Sequence, residues 1–314
     1  MATSAATDTL FSGADEIGRT DALVVAQDGE LVFERYRDGV AETDTLRSWS
    51  MAKSMLHAAV GMLVTDGQLD LDAPAPVPHW QTAGDPRGAI TLHDLMTMRA
   101  GLSWTEEPVD GAIPDVATML YGNEGGPQPD TALWAADRPL AHAPGRVTQY
   151  SSGVTNIVSA IVRDAVGGPV HYEPWLRSRL FDPLGMTSPS LRFDRSGTWL
   201  ASSYCFCTAR DFVRFGQLYL DAGMVGSERL LPADWVATAH TETGRDRLGR
   251  IHTMHWWMLG DNPWGAYFAS GYLGQYVLVV PPLRLVIARL GETPTEQRHH
   301  VSAALTQLIA DYKG

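Results

Sequence analysis

The sequence predicts an α/β fold: an antiparallel sheet flanked by helices, built from both chain ends and carrying an inserted, mainly helical domain. Three observations point to it. β-rich runs stand at both ends of the chain, helical segments between Pro- and Gly-rich loops fill its middle, and the turns joining the C-terminal strands are too short for parallel crossovers. The expected division is residues 1–67 and 201–314 for the α/β domain and 68–200 for the helical domain, with an active site between them.

Each element has its own reason. Residues 22–26 and 31–36 are β-rich and are joined by Gln27-Asp28-Gly29-Glu30, a hairpin signal with Asp-Gly at its centre. A helix is expected over 50–67. Further helices follow at 91–98, 115–121, 130–137, 154–166 and 173–181, then at 209–222 and 232–240. Strands at 253–259, 266–270, 275–280 and 285–290 are separated by Asp261-Asn262-Pro263 and Pro281-Pro282. A last helix, 295–312, closes the chain.

Composition restricts the functional class. With 314 residues, 45% of them hydrophobic, the chain can bury one large core or two coupled ones. A net charge of -12 opposes binding to a phosphate backbone, and no basic run overrides it, so nucleic acid is excluded as a partner. Residues 1–20 show neither a basic segment nor an apolar one, and the apolar stretch 276–290 is interrupted by Pro281, Pro282, Arg284 and Arg289. A cytoplasmic protein with no membrane partner is expected. Cys205 and Cys207 are too close for an unstrained disulfide and too few for a metal site, so both are read as reduced thiols. His252 and His255, three apart in an expected strand, would face opposite ways. Neither a metal nor a cofactor is expected.

Three segments carry chemistry. Of the 24 Lys and Arg residues only two are lysines, and one of them, Lys53, stands three residues after Ser50 in Arg47-Ser48-Trp49-Ser50-Met51-Ala52-Lys53-Ser54. Arginine keeps its proton in proteins, whereas a buried lysine can become a neutral amine and act as a base. On a helix this spacing places hydroxyl and amine on one face, as in an activated nucleophile or simply an ordinary helix face. The second segment, Pro144-Gly145-Arg146-Val147-Thr148-Gln149-Tyr150-Ser151-Ser152-Gly153, supplies Tyr150, either a proton shuttle or a packed loop tyrosine. The third, Phe268-Ala269-Ser270-Gly271-Tyr272-Leu273-Gly274-Gln275, is either a glycine-containing hairpin or a strand edge whose amides can stabilise an oxyanion.

In this order and spacing the segments resemble the serine β-lactamase and penicillin-recognising hydrolase superfamily, in its class C-like esterase and 6-aminohexanoate-oligomer hydrolase branch. The resemblance covers most of the chain and extends to Ile90-Thr91-Leu92-His93-Asp94-Leu95-Met96-Thr97-Met98-Arg99-Ala100-Gly101-Leu102, Asp182-Pro183-Leu184-Gly185-Met186 and Thr208-Ala209-Arg210-Asp211-Phe212-Val213-Arg214-Phe215-Gly216. It implies a β-lactamase/transpeptidase-like fold with Ser50 as acylated nucleophile, Lys53 as base and Tyr150 as proton relay. It also implies an oxyanion hole from the backbone N–H groups of Ser50 and Tyr272, and substrate contacts at Ser152, Ser270 and Gly271.

Two departures from the β-lactamase pattern are informative. Ala269-Ser270-Gly271 replaces Lys-Thr-Gly, removing the cation that would hold a carboxylate, and Tyr150-Ser151-Ser152 replaces Tyr-x-Asn. The resemblance then implies a serine hydrolase acting on small carboxylic esters and linear amides, its partner a small-molecule substrate. A transacylase using the same acyl-enzyme is the alternative. A β-lactamase, a D,D-peptidase or a non-catalytic penicillin-binding sensor ranks behind both. A Ser-His-Asp hydrolase would need a Gly-x-Ser-x-Gly elbow, which the chain lacks. Trp49, Trp256, Trp257, Trp264 and Tyr272 are candidates for an apolar cleft lining or for core.

Overall fold

The computed structural model describes residues 5–12, 14–122, 126–260 and 263–312. Its main sheet has eight strands: β1 (Arg19–Gln27), β2 (Glu30–Tyr36), β3 (Gly244–Arg245), β4 (Ile251–His252), β5 (Trp257–Met258), β6 (Tyr267–Gly271), β7 (Gln275–Val280) and β8 (Leu285–Glu292). They lie in the order β2-β1-β8-β7-β6-β5-β4-β3, and each β-pairing in this sheet is antiparallel. The two chain ends meet where β1 pairs with β8, from Arg19 opposite Glu292 to Gln27 opposite Leu285. Asp28 and Gly29 join β1 to β2 with φ of 51° and 84°, as a two-residue turn matched to the strand twist requires.

Both faces of the sheet are covered, so its central strands are apolar without alternation. Val24, Val277, Val279, Val286 and Ala288 belong to the inner core with Phe212 and Phe215 of the helix Ala209–Leu220 and with the helix Ala52–Thr65. Leu23, Val25, Leu278 and Ile287 face outward, against the helices Ala5–Ser12 and Arg298–Asp311. The last helix buries Val301, Ala304, Leu305, Leu308 and Ile309, an i, i+3, i+4, i+7, i+8 stripe. Each larger aliphatic side chain there contributes roughly 1.5–3 kcal/mol by leaving water.

Residues 68–200 add the helices Leu92–Met96, Asp115–Tyr121, Thr131–Ala136, Ser152–Ala165 and Pro169–Leu176, the last continued by a π-helical turn, Arg177–Phe181. Thr91 and Asp94 form a reciprocal capping box, and Asp130 and Ser151 cap their helices by accepting from Leu133 N and Val154 N. Among the described residues no helix is long and apolar enough to cross a membrane.

Some expectations fail for physical reasons. The strand expected over 253–259 is a hairpin, because His255 adopts φ 56° and Thr253 N–H bonds to Trp256 O, so β4 and β5 are separate. His252 and His255 therefore do not point to opposite faces; both line one cleft. The helix expected at 173–181 begins earlier, at Pro169, which suits a first helical position. No element is expected before residue 22, yet Ala5–Ser12 and Ala14–Ile17 are helical; of the first, Ala6, Thr7 and Leu10 are buried. Asp261-Asn262 of one expected turn lies outside the described residues. Cys205 and Cys207 are free and buried, their sulfurs 3.4 Å apart on one face of a short strand.

Arg289 of β8 is wholly buried, without a carboxylate partner at salt-bridge distance among the described residues. It donates to Gly274 O at 2.8 Å, Arg19 O at 3.0 Å, and the hydroxyls of Thr20 and Thr293, each at 2.9 Å from Nη2. Burial lowers its pKa to about 10, still charged at neutral pH. It thereby ties the β6–β7 turn to β1. Arg289→Met should lower unfolding free energy by at least about 2 kcal/mol in urea titration, since buried acceptors lose their donors. An unchanged midpoint would show that the cost of burying the cation cancels its bonds.

Candidate active site

The central helix Ala52–Thr65 is buried from Ala52 through Leu63, so its first turn can hold polar groups away from water. A 3₁₀ turn, Trp49–Met51, precedes it and carries Ser50. Lys53, one turn on, is 2% exposed. Its Nζ lies 3.0 Å from Ser50 Oγ, 3.1 Å from Ser152 Oγ and 2.7 Å from Ser202 O. Hydroxyl and amine are thus in direct contact. Ser202 is held in turn by its N–H, which donates to Asn156 Oδ1 at 3.2 Å.

Trp49 has φ 46°, a left-handed conformation that costs a bulky residue on the order of 1–3 kcal/mol. Its ring is held from two sides. The Arg47 guanidinium sits 3.3 Å from the Trp49 ring centroid and 3.8 Å from that of Tyr204, while Tyr272 meets Trp49 edge-on at 5.2 Å.

Tyr150 leads into the helix Ser152–Ala165. Gln149 N–H donates to Met98 O at 2.9 Å and Gln149 Nε2 to Trp104 O at 2.7 Å, which fixes the loop beside Tyr150. The Tyr150 ring centroid is 4.9 Å from Lys53 Nζ and 5.3 Å from the Trp257 ring. Among the described residues no hydrogen bond joins the Tyr150 hydroxyl to Ser50 or Lys53.

Strand β6 passes against the turn that carries Ser50. A Cβ at Gly271 would run into Ser48 O, so glycine is what permits this approach. Tyr272, 51% exposed, follows at the start of the hairpin, where Leu273 takes φ 62°. Gln275 Nε2 donates to Tyr272 O at 3.0 Å, steadying the turn. Ser50, Lys53, Tyr150, His252, Trp257 and Ser270 line one small cavity. Ser152 is not exposed to it: its hydroxyl accepts from Lys53 and donates to Glu106. The tryptophans divide. Trp257 lines the cleft, Trp264 packs against the outer core, and Trp256 is buried beside Phe215 and Tyr219, with an edge at the cavity.

Sequence reasoning passed over Glu106, which belongs to no spaced motif, and weighed His255 only as a metal ligand. Glu106 Oε2 accepts from Ser152 Oγ at 3.2 Å, and Oε1 accepts from Ser152 N–H and from Trp104 Nε1 at 2.8 Å. Burial raises its carboxyl above the ordinary range, against the opposing pull of Lys53 and these donors. His255 Nδ1–H donates to Met96 O at 2.8 Å, and Nε2 accepts from Thr155 Oγ1 at 3.2 Å. Burial pushes its pKa down to about 4, so it adds no positive charge near Lys53 at neutral pH. Among the described residues no cluster of three or more His, Cys, Asp or Glu is placed to hold a metal ion. What the arrangement can do is acyl transfer, with a hydroxyl activated by an adjacent amine.

A family model described as Beta-lactamase matches residues 13–311. The 6-aminohexanoate-dimer hydrolase of Paenarthrobacter ureafaciens is 25% identical over 307 residues, covering 93% of this chain and 77% of that protein. Esterase EstB of Burkholderia gladioli is 31% identical over 180 residues, covering 52% and 44%. A proposed 6-aminohexanoate-dimer hydrolase from Bacillus anthracis shares the fold with a TM-score of 0.79 at 24% identity, over 94% of this chain and 79% of that one.

The buried histidines give the fold an acid limit. The folded-state pKa of His255 is depressed below its unfolded value of about 6.5, so the unfolded chain binds the extra proton first and stability falls as pH drops from about 6.5 to about 4. His57, buried between Tyr219 and Thr238, is lowered in the same direction. Unfolding free energies from urea titrations across this window should decline with a slope approaching about 1.4 kcal/mol per pH unit for each histidine. In a folded His255→Gln variant the slope should be shallower; an identical slope would remove His255 as a source.

Proposed function

The chain belongs to the β-lactamase family, and from this we propose that it is a serine hydrolase that cleaves small carboxylic esters and linear amides through an acyl-Ser50 intermediate. One observation carries the reading: the 3.0 Å contact between Ser50 Oγ and the buried Lys53 amine. The likeness to a 6-aminohexanoate-dimer hydrolase and to an esterase supports these two bond types. We read residues 1–67 and 201–314 as one domain and 68–200 as a second, with the cleft between them.

In this reading neutral Lys53 takes the Ser50 proton as Oγ attacks the carbonyl carbon. The tetrahedral oxyanion sits between the backbone N–H groups of Ser50 and Tyr272, the latter without a hydrogen bond among the described residues. The proton then reaches the departing alcohol or amine through the Tyr150 hydroxyl, which must turn toward the reacting centre once substrate is bound, since the ring is what faces Lys53 without it. Water then attacks the acyl-enzyme and its proton returns through the same groups. Trp257 and Tyr150, their rings 5.3 Å apart, form an aromatic wall beside the cleft. Ala269, buried in β6, stands where a β-lactamase has the lysine of its third motif, which favours substrates without a carboxylate at that position.

Hydrolysis of p-nitrophenyl butyrate should be present in the wild type and lost in a folded Ser50→Ala variant; equal rates would end the acyl-Ser50 reading. Lys53→Arg should lose at least about a thousandfold in kcat/KM, since guanidinium keeps its proton. Tyr150→Phe should impair amide substrates more than p-nitrophenyl esters, whose leaving group needs no proton. Equal losses on both would count against Tyr150 as the relay.

A further inference from the structure

A lysine serves as a base only when neutral, so its proton needs somewhere to go. Lys53 Nζ, Ser152 Oγ and Glu106 Oε2 form a continuous chain of hydrogen bonds, with steps of 3.1 Å and 3.2 Å. We propose that Glu106 is the positioning residue that discharges Lys53 through the Ser152 hydroxyl. A proton passes from Lys53 Nζ to Ser152 Oγ while the Ser152 hydroxyl proton passes to Glu106 Oε2. The products are a neutral amine and a carboxylic acid. No charge is created, and no outside acid or base takes part. The freed Lys53 lone pair then takes up the Ser50 proton. The inference rests on the acyl-Ser50 reading above.

The geometry distinguishes this from simple capping of the helix Ser152–Ala165. A cap needs only the contact from Ser152 N–H to Oε1, whereas the second oxygen faces the hydroxyl that also meets Lys53. Trp104 Nε1 holds Oε1 at 2.8 Å and so fixes the rotation of the carboxyl group. A carboxyl raised by burial accepts the proton more readily than one in water.

The remaining titratable groups around the pair do not compete near neutrality. His255 is neutral above about pH 4, and burial lowers His252 despite its contact with Asp246 at 3.1 Å. Tyr150 presents its ring to Lys53. Asp115, which binds Thr105 beside Glu106, faces Arg138 at 3.8 Å, and Glu107 is exposed.

The charged pair and the neutral pair hold the same number of protons, so their ratio does not change with pH. Without Glu106, Lys53 must release its proton to solvent and activity must follow pH. The test is kcat/KM for p-nitrophenyl butyrate from about pH 5.5 to 9, using the full chain, with thermal unfolding as a check of folding. Wild type should be nearly flat around neutrality. In Glu106→Gln and in Ser152→Ala kcat/KM should instead climb with pH, by about tenfold per pH unit.

A folded variant that keeps the wild-type profile overturns the relay, as does a loss of the same factor at every pH, which is the mark of a structural contact. If Glu106→Gln fails to fold, Ser152→Ala decides the matter. Ser50→Ala separates the two claims: residual activity there sinks the acyl-Ser50 reading, whereas Ser50-dependent activity with an unchanged pH profile sinks the relay alone.

Discussion

A buried amine must find acceptors, and the rest of the site is arranged by that need. Lys53 meets Ser50 in the 3₁₀ turn before its own helix, Ser152 at the start of another helix, and Ser202 O in the loop before a short strand. Each acceptor left without its donor would cost on the order of 1–3 kcal/mol. The three segments therefore cannot shift independently. Asn156 extends the constraint, since its Oδ1 accepts from Ser202 N–H and its Nδ2 donates to Thr131 Oγ1 at 3.2 Å. One side chain couples the helix that bears the nucleophile to the helical segments of 68–200.

The sheet supplies the other fixed reference. Because both of its faces are packed, a one-residue slip of β6 or β7 would force every side chain into the packing of the opposite face. That rigidity lets Gly271 lie against Ser48 O and lets the next residue, Tyr272, meet Trp49. The left-handed backbone at Trp49 is a local cost. The Arg47 stack and the Tyr272 edge contact, together worth about 1–3 kcal/mol, offset it and keep Ser50 presented at the head of its helix. Behind the turn, Arg289 and Gln275 bind the carbonyls of Leu273, Gly274 and Tyr272, so the exposed end of the hairpin is anchored from within.

What was legible in the sequence was what chemistry or periodicity makes specific. A lysine in an arginine-rich chain, three residues after a serine, marked the meeting of Ser50 and Lys53, and the Asp28-Gly29 turn marked its hairpin with little ambiguity. Antiparallel order followed from turns too short to cross over. The failures have a common cause: the residues concerned act through tertiary neighbours. Glu106 is one carboxylate among 36 acidic residues until the fold brings Ser152 and Trp104 to it. The turn at His255 is invisible to a β-propensity reading because Trp256 and Trp257 both favour strands; the buried imidazole, fixed between Met96 O and Thr155, forces the bend instead. The helix Ala5–Ser12 offers Ala6, Leu10 and the partly buried Phe11 as apolar contacts, too few to read without the helix it packs against.

The electrostatics of the cleft bear on what it would accept under the proposed function. His255 is neutral by burial, and Ala269 supplies no cation, so Lys53 is the group whose charge dominates the cavity floor. In the proposed relay its proton passes to Glu106, which leaves Lys53 neutral, and Tyr150, Trp256 and Trp257 then stand among uncharged hydroxyl and imidazole groups in the lining. A carboxylate brought into such a site would lose its hydration without a fixed cation in return, a penalty of several kcal/mol. An uncharged acyl chain loses little and gains roughly 25 cal/mol for each Å² it buries. Under the proposed function, the pairing of Lys53 with Glu106 that would free the base would also leave no net cation for a substrate carboxylate, so substrate preference and base activation would be two consequences of one arrangement.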